Sequence, residues 1–284
     1  MTRDAPEAGE PDGIDPAVRD DYRPEPRAEG KGLVDDIVMA LRFFSRLPTG
    51  ERPHEKPDLG RIAMALPFAA TLMSLVPLAL LMGGAWLGLP PYFAAALSVA
   101  AMVIVGGGMM EDALADAADG LFGGYTRERR LEILKDSRHG TYGVAALCLF
   151  LVLRVTALGS VVAINPLAAA ALWLAAHLAG RSGGLWLAVA LPAARADGAS
   201  ASAGALSTKR FAIGATLAGL LVFLLGGPVS GLVGVVAALL AVVLTVLAWT
   251  GICRRLLGGQ TGDLIGAGMA LGEVAALCAL LILA

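Results

Sequence analysis

Charged residues are scarce in this sequence: Asp, Glu, Lys and Arg make up 16% of its 284 residues, whereas 57% are hydrophobic. Soluble domains are about 45–50% apolar and about 25% charged, so this composition argues against a water-soluble fold. An excess of basic charge is also missing, because 22 Lys and Arg residues face 24 Asp and Glu residues. Nucleic-acid binding requires a concentrated basic surface, and we therefore expect no nucleic-acid partner.

Cysteine is rare as well, and the three cysteines, Cys148, Cys253 and Cys278, lie in or beside apolar segments. Their spacing predicts neither a disulfide framework nor a cysteine metal site. Residues 1–31 contain almost no large apolar side chains, which predicts a disordered cytoplasmic tail. This tail also lacks the apolar core of a secretory signal, so we expect the chain to enter the membrane through its later segments.

Long apolar segments dominate residues 32–284, which we interpret as one membrane-embedded catalytic bundle. A helix that crosses a hydrocarbon core of about 30 Å needs about 20 residues. We therefore predict an all-α, multi-pass integral membrane protein, with an amphipathic surface helix over Leu33–Phe44 before the spans. The predicted spans number about seven: 62–82, 91–110, 143–164, 167–191, 211–226, 229–250 and 264–284.

The connections between these segments alternate in charge. Lys and Arg occur before the first span and after the second, fourth and sixth, whereas the other connections contain no charged residue. Because basic residues concentrate in cytoplasmic loops, this pattern places all charged loops on the cytoplasmic side of the cell inner membrane. The uncharged connections are 83–90, 165–166 and 226–228, and the last of these is also consistent with a single broken hairpin.

Four acids and no base occupy the segment Glu111–Asp119 at the cytoplasmic end of the second predicted span. In a continuous helix, Asp112, Asp116 and Asp119 stand at positions i, i+4 and i+7 and share one face. Their mutual repulsion is relieved by a cation, and oxygen ligands suit Mg²⁺ that is also bound by substrate phosphates. The alternative is a solvated acidic helix end. Glu111 lies off this face, and we interpret it as a solvent-facing acid.

Two further polar segments follow. Asp136, Ser137 and Arg138 precede the third span and provide a carboxylate, a hydroxyl and a guanidinium suited to phosphate oxygens, while His139 is interpreted as a loop residue without a catalytic role. The Gly-rich segment 258–263 precedes the last span and allows backbone N–H groups to approach an anion. Its Asp263 is alternatively the N-cap of the final helix.

Ionisable residues also lie inside the predicted spans. Charges at this depth are costly and normally face a polar cavity or one another, which predicts a cavity within the bundle. We expect Arg181, with His177 nearby, to contact an anion. Arg154 and Glu273 form either a buried structural pair or part of a substrate site.

These motifs, in this order, resemble those of the cobalamin 5'-phosphate synthase family, also called adenosylcobinamide-GDP ribazoletransferases. The resemblance covers the membrane region, and one position departs from the pattern, because Met110 stands where the family usually has a histidine. The tail at 1–31 lies outside the region that the resemblance covers. The matching segments are Phe44–Pro48, Asp112–Gly120, Arg130–Arg138 with Gly140, Thr141 and Gly143, then Gly258–Asp263, and Gly272-Glu273.

The resemblance implies a Mg²⁺-dependent reaction in which α-ribazole or its 5'-phosphate displaces GMP from adenosylcobinamide-GDP. We expect Asp112, Asp116 and Asp119 to hold the metal, and Asp119 or Asp263 to accept the proton of the ribose hydroxyl. The expected substrate-binding residues are Arg46, Asp136, Ser137, Arg138, Arg181, Gln260 and Thr261.

Two other classes compete with this hypothesis. One is another membrane transferase with aspartate-bound Mg²⁺, of the CDP-alcohol phosphotransferase or prenyltransferase type, although the basic stretch Arg127–Arg130 interrupts the CDP-alcohol pattern. The other is a transporter, in which Arg154, Arg181 and Glu273 line a translocation path. A transporter leaves the acidic run unexplained.

Overall fold

The computed structural model describes residues 32–50, 56–136, 138–195 and 203–282, and within these ranges the chain is helical with no β-strand. The predicted tail at 1–31 lies outside the described residues. Ten helices follow one another: α1 Leu33–Phe44, α2 Leu59–Trp86, α3 Pro91–Gly106, α4 Met109–Gly123, α5 Arg127–Ile133, α6 Thr141–Val162, α7 Pro166–Gly184, α8 Trp186–Ala190, α9 Thr208–Leu257 and α10 Gly262–Ile282.

The all-α, multi-pass membrane fold is confirmed, whereas the count of seven spans is not. Four described helices, α2, α6, α9 and α10, are long and apolar enough to cross a membrane. A fifth span results if the bent pair of α3 and α4 is counted as one. The predicted span 167–191 is divided between α7 and α8, and α7 carries His177 and Arg181 in its last turns.

Helix α9 contains both the fifth and the sixth predicted spans. A straight helix of its 50 residues would be about 75 Å long, far more than a bilayer core. The helix instead breaks at Gly231, where φ is 68° and ψ is 179°. A Cβ atom placed on Gly226 would lie 3.5 Å from Val235 Cγ2, so the two arms fold back on each other. The hairpin alternative is therefore correct, with its break at Gly231 and not at 226–228.

The second predicted span, 91–110, is wrong as a straight helix. Gly107 and Gly108 both have a positive φ, and α4 leaves α3 at an angle of 85°. Arg46 packs over the bend: its backbone N–H donates to Val105 O at 2.8 Å, and a Cβ on Gly107 would lie 2.6 Å from Arg46 Cγ. Both the backbone angle and this close approach require glycine, so the acidic residues belong to a separate helix with its own direction.

The amphipathic helix α1 has the predicted bounds, and buries Met39, Ala40, Leu41 and Phe44. At the centre of the bundle, α7 and α10 approach closely through small residues. A Cβ on Gly184 would lie 2.6 Å from Met269 N, and a Cβ on Gly272 would lie 3.2 Å from Gly180 Cα. Such glycines let membrane helices pack backbone against backbone, which brings polar side chains of α7 within reach of α10.

Candidate active site

An open pocket lies where the C-terminal half of α7, the first turns of α4 and α10 and the end of α1 meet. It encloses about 790 Å³, including space open to solvent, which is a usual size for a small-molecule site. Most of its lining is apolar. Its ionisable side chains are Asp112, Arg181 and Asp263, which come from three different helices. Three predicted site residues are therefore brought together.

The acidic run forms a small cluster with the loop before α6. Asp112 and Asp116 stand one turn apart on α4, and the His139 ring lies 3.6 Å from Asp112 Oδ1 and 3.4 Å from Asp116 Oδ1. One potential ligand atom from each of the three residues lies within 4.8 Å of the others. Asp112 is 64% exposed and Asp116 is 16% exposed, so a hydrated cation can enter from the open side. We call Asp112, Asp116 and His139 the acidic cluster.

Asp119 is placed differently. Its carboxylate is buried and accepts hydrogen bonds from the backbone N–H groups of Gly140, at 2.6 Å, and Gly143, at 2.9 Å. A carboxylate at a helix N-terminus is stabilised by the unpaired N–H groups there. Asp119 thus holds the start of α6, and with it the adjacent His139, beside Asp112 and Asp116. Its proposed roles in metal binding and proton acceptance stay predictions.

Glu111 is buried, so the interpretation of this residue as a solvent-facing acid is wrong. Its Oε1 accepts a hydrogen bond from Arg154 Nη1 of α6 at 2.9 Å. Arg154 Nε in turn lies 3.0 Å from Glu273 Oε1 of α10, which agrees with the buried structural pair. The Arg154 guanidinium also faces the rings of Phe150 and Trp173, at 4.8 and 5.6 Å from their centroids. The cost of this buried charge is offset by paired acids and aromatic faces.

Further hydrogen bonds lead from Glu273 to residues of α7 that lie nearer the pocket. Glu273 Oε2 lies 2.9 Å from His177 Nδ1, and Glu273 Oε1 accepts from Trp173 Nε1 at 3.2 Å. Arg181 Nε donates to His177 Nε2 at 2.8 Å, and the Arg181 guanidinium lies 5.7 Å from the Phe44 ring. His177 and Arg181 were expected to lie near each other, and the structure joins them by this hydrogen bond. We call Glu111, Arg154, Glu273, His177 and Arg181 the buried network.

The segment 258–263 forms a turn that is tied to the loop after α8. Gln260 exchanges two backbone hydrogen bonds with Pro192 and Ala194, each at 2.8 Å, and Gly259 packs so closely on this loop that a Cβ would lie 2.8 Å from Pro192 O. Thr261 Oγ1 accepts from Leu264 N at 3.3 Å, so the side chain that caps α10 belongs to Thr261. Asp263 is left to line the pocket, 3.8 Å from Arg195 Nη2.

The remaining predicted binding residues do not line this pocket. Arg138 and Asp136 form an exposed ion pair with an Nη2 to Oδ2 distance of 2.8 Å. The Arg138 guanidinium lowers the pKa of Asp136 to about 2, and Asp136 raises the pKa of Arg138. Ser137 lies outside the described residues. Arg46 is exposed beside Gly107, and Gln260 is buried with its Oε1 unpaired among the described residues. Their substrate contacts stay predictions.

Two arginines of the basic segment have a structural role that sequence reasoning did not identify. Arg127 donates from Nε to Leu257 O at 2.8 Å and from Nη2 to Ala194 O at 3.0 Å. Arg130 donates to Leu256 O and Leu121 O, both at 3.1 Å. These arginines satisfy the last carbonyl groups of α9, which lie 126 and 130 positions away, so no local pattern indicated the contacts. For His139 and Glu111, likewise, no local pattern indicates the partners they have.

Comparison with known proteins identifies the family to which the chain is similar. The model of the cobalamin-5-phosphate synthase family matches residues 36–281. The chain is 43% identical over 256 residues to the adenosylcobinamide-GDP ribazoletransferase of Azorhizobium caulinodans, covering 89% of this chain and 97% of the relative. It is 41% identical over 245 residues to that of Bradyrhizobium diazoefficiens, covering 86% and 92%. No solved structure matches the chain.

Proposed function

The chain belongs to the cobalamin-5-phosphate synthase family, and we propose that Asp112 and Asp116 hold the Mg²⁺ on which its reaction depends. It is an enzyme of the final nucleotide-loop assembly step of cobalamin synthesis. It transfers the adenosylcobinamide-phosphate group from adenosylcobinamide-GDP to α-ribazole or its 5'-phosphate, and GMP is released. The observation that carries the site assignment is the single pocket in which Asp112, Arg181 and Asp263 meet.

The donor atoms of the acidic cluster fit a divalent cation. Two carboxylates one helical turn apart repel each other, and no arginine or lysine pairs with them among the described residues. Carboxylate oxygens are the ligands that Mg²⁺ prefers, and they also suit Mn²⁺. When bound there, Mg²⁺ supplies positive charge that stabilises the pyrophosphate as GMP departs. Asp116 is the better covered of the two carboxylates, so we assign it the larger part of the binding.

Arg181 is the residue that we assign to the pyrophosphate. It is buried, yet it lines the pocket, and its side chain is fixed through Nε by His177. Among the described residues no hydrogen bond engages its Nη1 and Nη2 atoms, and the residue lines the pocket. With Nε bonded to His177, the edge formed by Nη1 and Nη2 is the one that matches phosphate oxygens in a bidentate manner.

Asp263 is the residue that we assign as proton acceptor. The ribose hydroxyl oxygen of α-ribazole bonds to the phosphorus that carries the cobinamide, and the bond from this phosphorus to the bridging oxygen of GMP breaks. The hydroxyl proton passes to a carboxylate. Asp263 faces the pocket, whereas both oxygens of Asp119 already accept backbone N–H groups. This difference favours Asp263 over Asp119.

We place the pocket on the cytoplasmic side of the inner membrane. The basic residues Arg46, Arg127, Arg130 and Arg195 all lie at the end of the bundle where the pocket opens, as the positive-inside rule requires of a cytoplasmic end. The transporter alternative loses its support, because Arg154 and Glu273 pair with each other inside the protein.

Incubating the purified protein with adenosylcobinamide-GDP, α-ribazole and Mg²⁺ tests this function. We expect release of GMP together with one equivalent of a cobalamin product, and loss of both when a chelator removes the metal. A CDP-alcohol transferase or a transporter forms neither product. Turnover that is unchanged after complete chelation would refute the metal assignment while leaving the family's reaction intact.

A further inference from the structure

The buried network ends at a residue that faces the pocket, and its other members are held away from the substrate. Trp173, His177 and Arg181 follow at intervals of four residues on α7, so all three lie on the helix face that meets α10. Trp173 and His177 both bond the same carboxylate, that of Glu273. The network therefore connects a fixed acid in the bundle centre to the guanidinium at the pocket.

Hydrogen-bond polarity determines the state of His177. Arg181 has donors only, so His177 Nε2 must accept the hydrogen bond from Arg181 Nε. The Nδ1 atom then carries the proton and donates it to Glu273 Oε2 at 2.9 Å. A neutral Nδ1–H ring satisfies both neighbours at once, whereas a doubly protonated ring would direct a donor at a donor. Glu273 thus selects the form of His177 that can hold Arg181.

The charges of the network also balance without a ligand. Glu111 and Glu273 carry two negative charges and Arg154 and Arg181 two positive charges, with Arg154 between the two acids. Arg154 lies between the two acids and offsets one of their two negative charges, and Arg181 supplies the second positive charge with no direct ion pair to Glu273 among the described contacts. The contact between Glu273 and Arg181 instead runs through the His177 ring, which keeps the guanidinium at the pocket edge.

We propose that His177 and Glu273 are positioning residues, which hold the Arg181 guanidinium in the orientation that binds the pyrophosphate of the nucleotide-activated substrate. This inference rests on the proposed function, because it adds a cause for the placement of a binding group in that same site. Misplacing a binding group by about 1 Å can cost about 100-fold in rate. The effect of His177 is thus transmitted only through Arg181.

A double-mutant cycle separates positioning from a general packing role. We expect His177→Phe to lower kcat/KM for adenosylcobinamide-GDP by about 10- to 100-fold, with KM for unphosphorylated α-ribazole changed by less than about twofold. In an Arg181→Met background the same change should cost less than about twofold, because the group it positions is gone. His177→Gln, which keeps one acceptor and one donor, should recover part of the loss. Equal effects in both backgrounds would overturn the proposal.

Ser182→Ala is the matched control, since Ser182 is buried on the same helix and its Oγ has no hydrogen-bond partner among the described residues. It should leave kcat/KM unchanged.

Calorimetric titration with inorganic pyrophosphate and Mg²⁺ repeats the cycle without turnover. Equal weakening of binding by His177→Phe and Arg181→Met supports positioning, and additive weakening or absence of wild-type binding contradicts it. If the wild-type protein releases no GMP, the proposed reaction is refuted. The positioning proposal is still tested, because the binding measurements do not require turnover.

Discussion

The protein has two groups of charged side chains that differ in how their charges are balanced. The buried network contains two glutamates, two arginines and one histidine, each in contact with another member, and of these Arg181 lines the pocket. The acidic cluster has two carboxylates and one histidine, is partly exposed, and has no arginine or lysine among its described ion pairs. Because the charges of the buried network compensate one another and those of the acidic cluster do not, we assign the first to architecture and to the positioning of Arg181, and the second to metal binding.

Removing the central cation of the buried network gives the largest expected loss of stability. Arg154→Met leaves Glu111 and Glu273 buried and without their shared partner, and breaking a buried ion pair costs about 3–5 kcal/mol. We expect a strong fall of the thermal unfolding midpoint in detergent. Adding Glu111→Gln should restore part of it, because one unpaired charge is removed. A variant as stable as the wild type would show that the network is not self-compensated.

Removing a carboxylate of the acidic cluster should lower activity and leave stability unchanged. Asp116→Asn removes a charged ligand, and Asp116 has no arginine or lysine partner among the described ion pairs, so we expect GMP release to fall at least about 1000-fold, or about 4 kcal/mol. The unfolding midpoint in metal-free buffer should stay near that of the wild type. Glu132→Gln, a change to an exposed acid paired with Arg129, is the control and should keep full activity. Near-normal turnover by Asp116→Asn would remove the metal site.

The bend that aims the acidic cluster can be tested separately from its charges. Gly107→Ala places a Cβ at a positive φ and against Arg46, and left-handed backbone costs a non-glycine residue about 1–2 kcal/mol. We expect lower stability together with a lower rate, since α4 is redirected. Gly83→Ala has open space around its Cβ and an ordinary φ, and should change neither quantity. Equal behaviour of the two variants would show that the bend does not depend on glycine.

The exposed pair of Asp136 and Arg138 should give the smallest effect. Arg138→Ala is expected to raise KM for adenosylcobinamide-GDP a few-fold, with no measurable change in unfolding midpoint, because exposed ion pairs contribute little to stability. The pKa of Asp136 is lowered to about 2, so any contribution of this pair is lost only as pH falls towards that value. Between pH 5 and 9 the ratio of variant to wild-type KM should therefore be constant.

Much of the candidate site was predictable from local patterns. The i, i+4 spacing of Asp112 and Asp116 predicted neighbouring carboxylates, and the structure brings both beside His139. Arg181 was expected at an anion site because charge inside a span is costly, and it lines the pocket. Asp263 lines the same pocket, although the capping side chain of α10 belongs to Thr261. The placement of these residues was predictable for a common reason, since each case depends on residues within a few positions of one another or on burial alone, while their roles stay predictions.

The failures depend on contacts between distant parts of the chain. The partner of Glu111 lies 43 positions away, and His177 and Glu273 are separated by 96 positions. Helical periodicity relates residues over one or two turns and carries no information about such pairs. The direction of α4 was missed for a related reason: two adjacent glycines permit a bend, but Arg46 packing over Gly107 is a tertiary contact.

Three properties follow from the amino-acid sequence alone: the chain is a helical membrane protein, its basic residues lie in alternate connections, and its acids concentrate on one short segment. They depend on composition and on the length of apolar runs, which govern insertion into a bilayer. Which charges neutralise each other, and which remain available, depends on the folded arrangement. Close packing of α7 on α10 and the turn of α4 at Gly107 placed Glu273 against His177 and left Asp112 and Asp116 open to a ligand, because charge balance depends on distances in space and not along the chain.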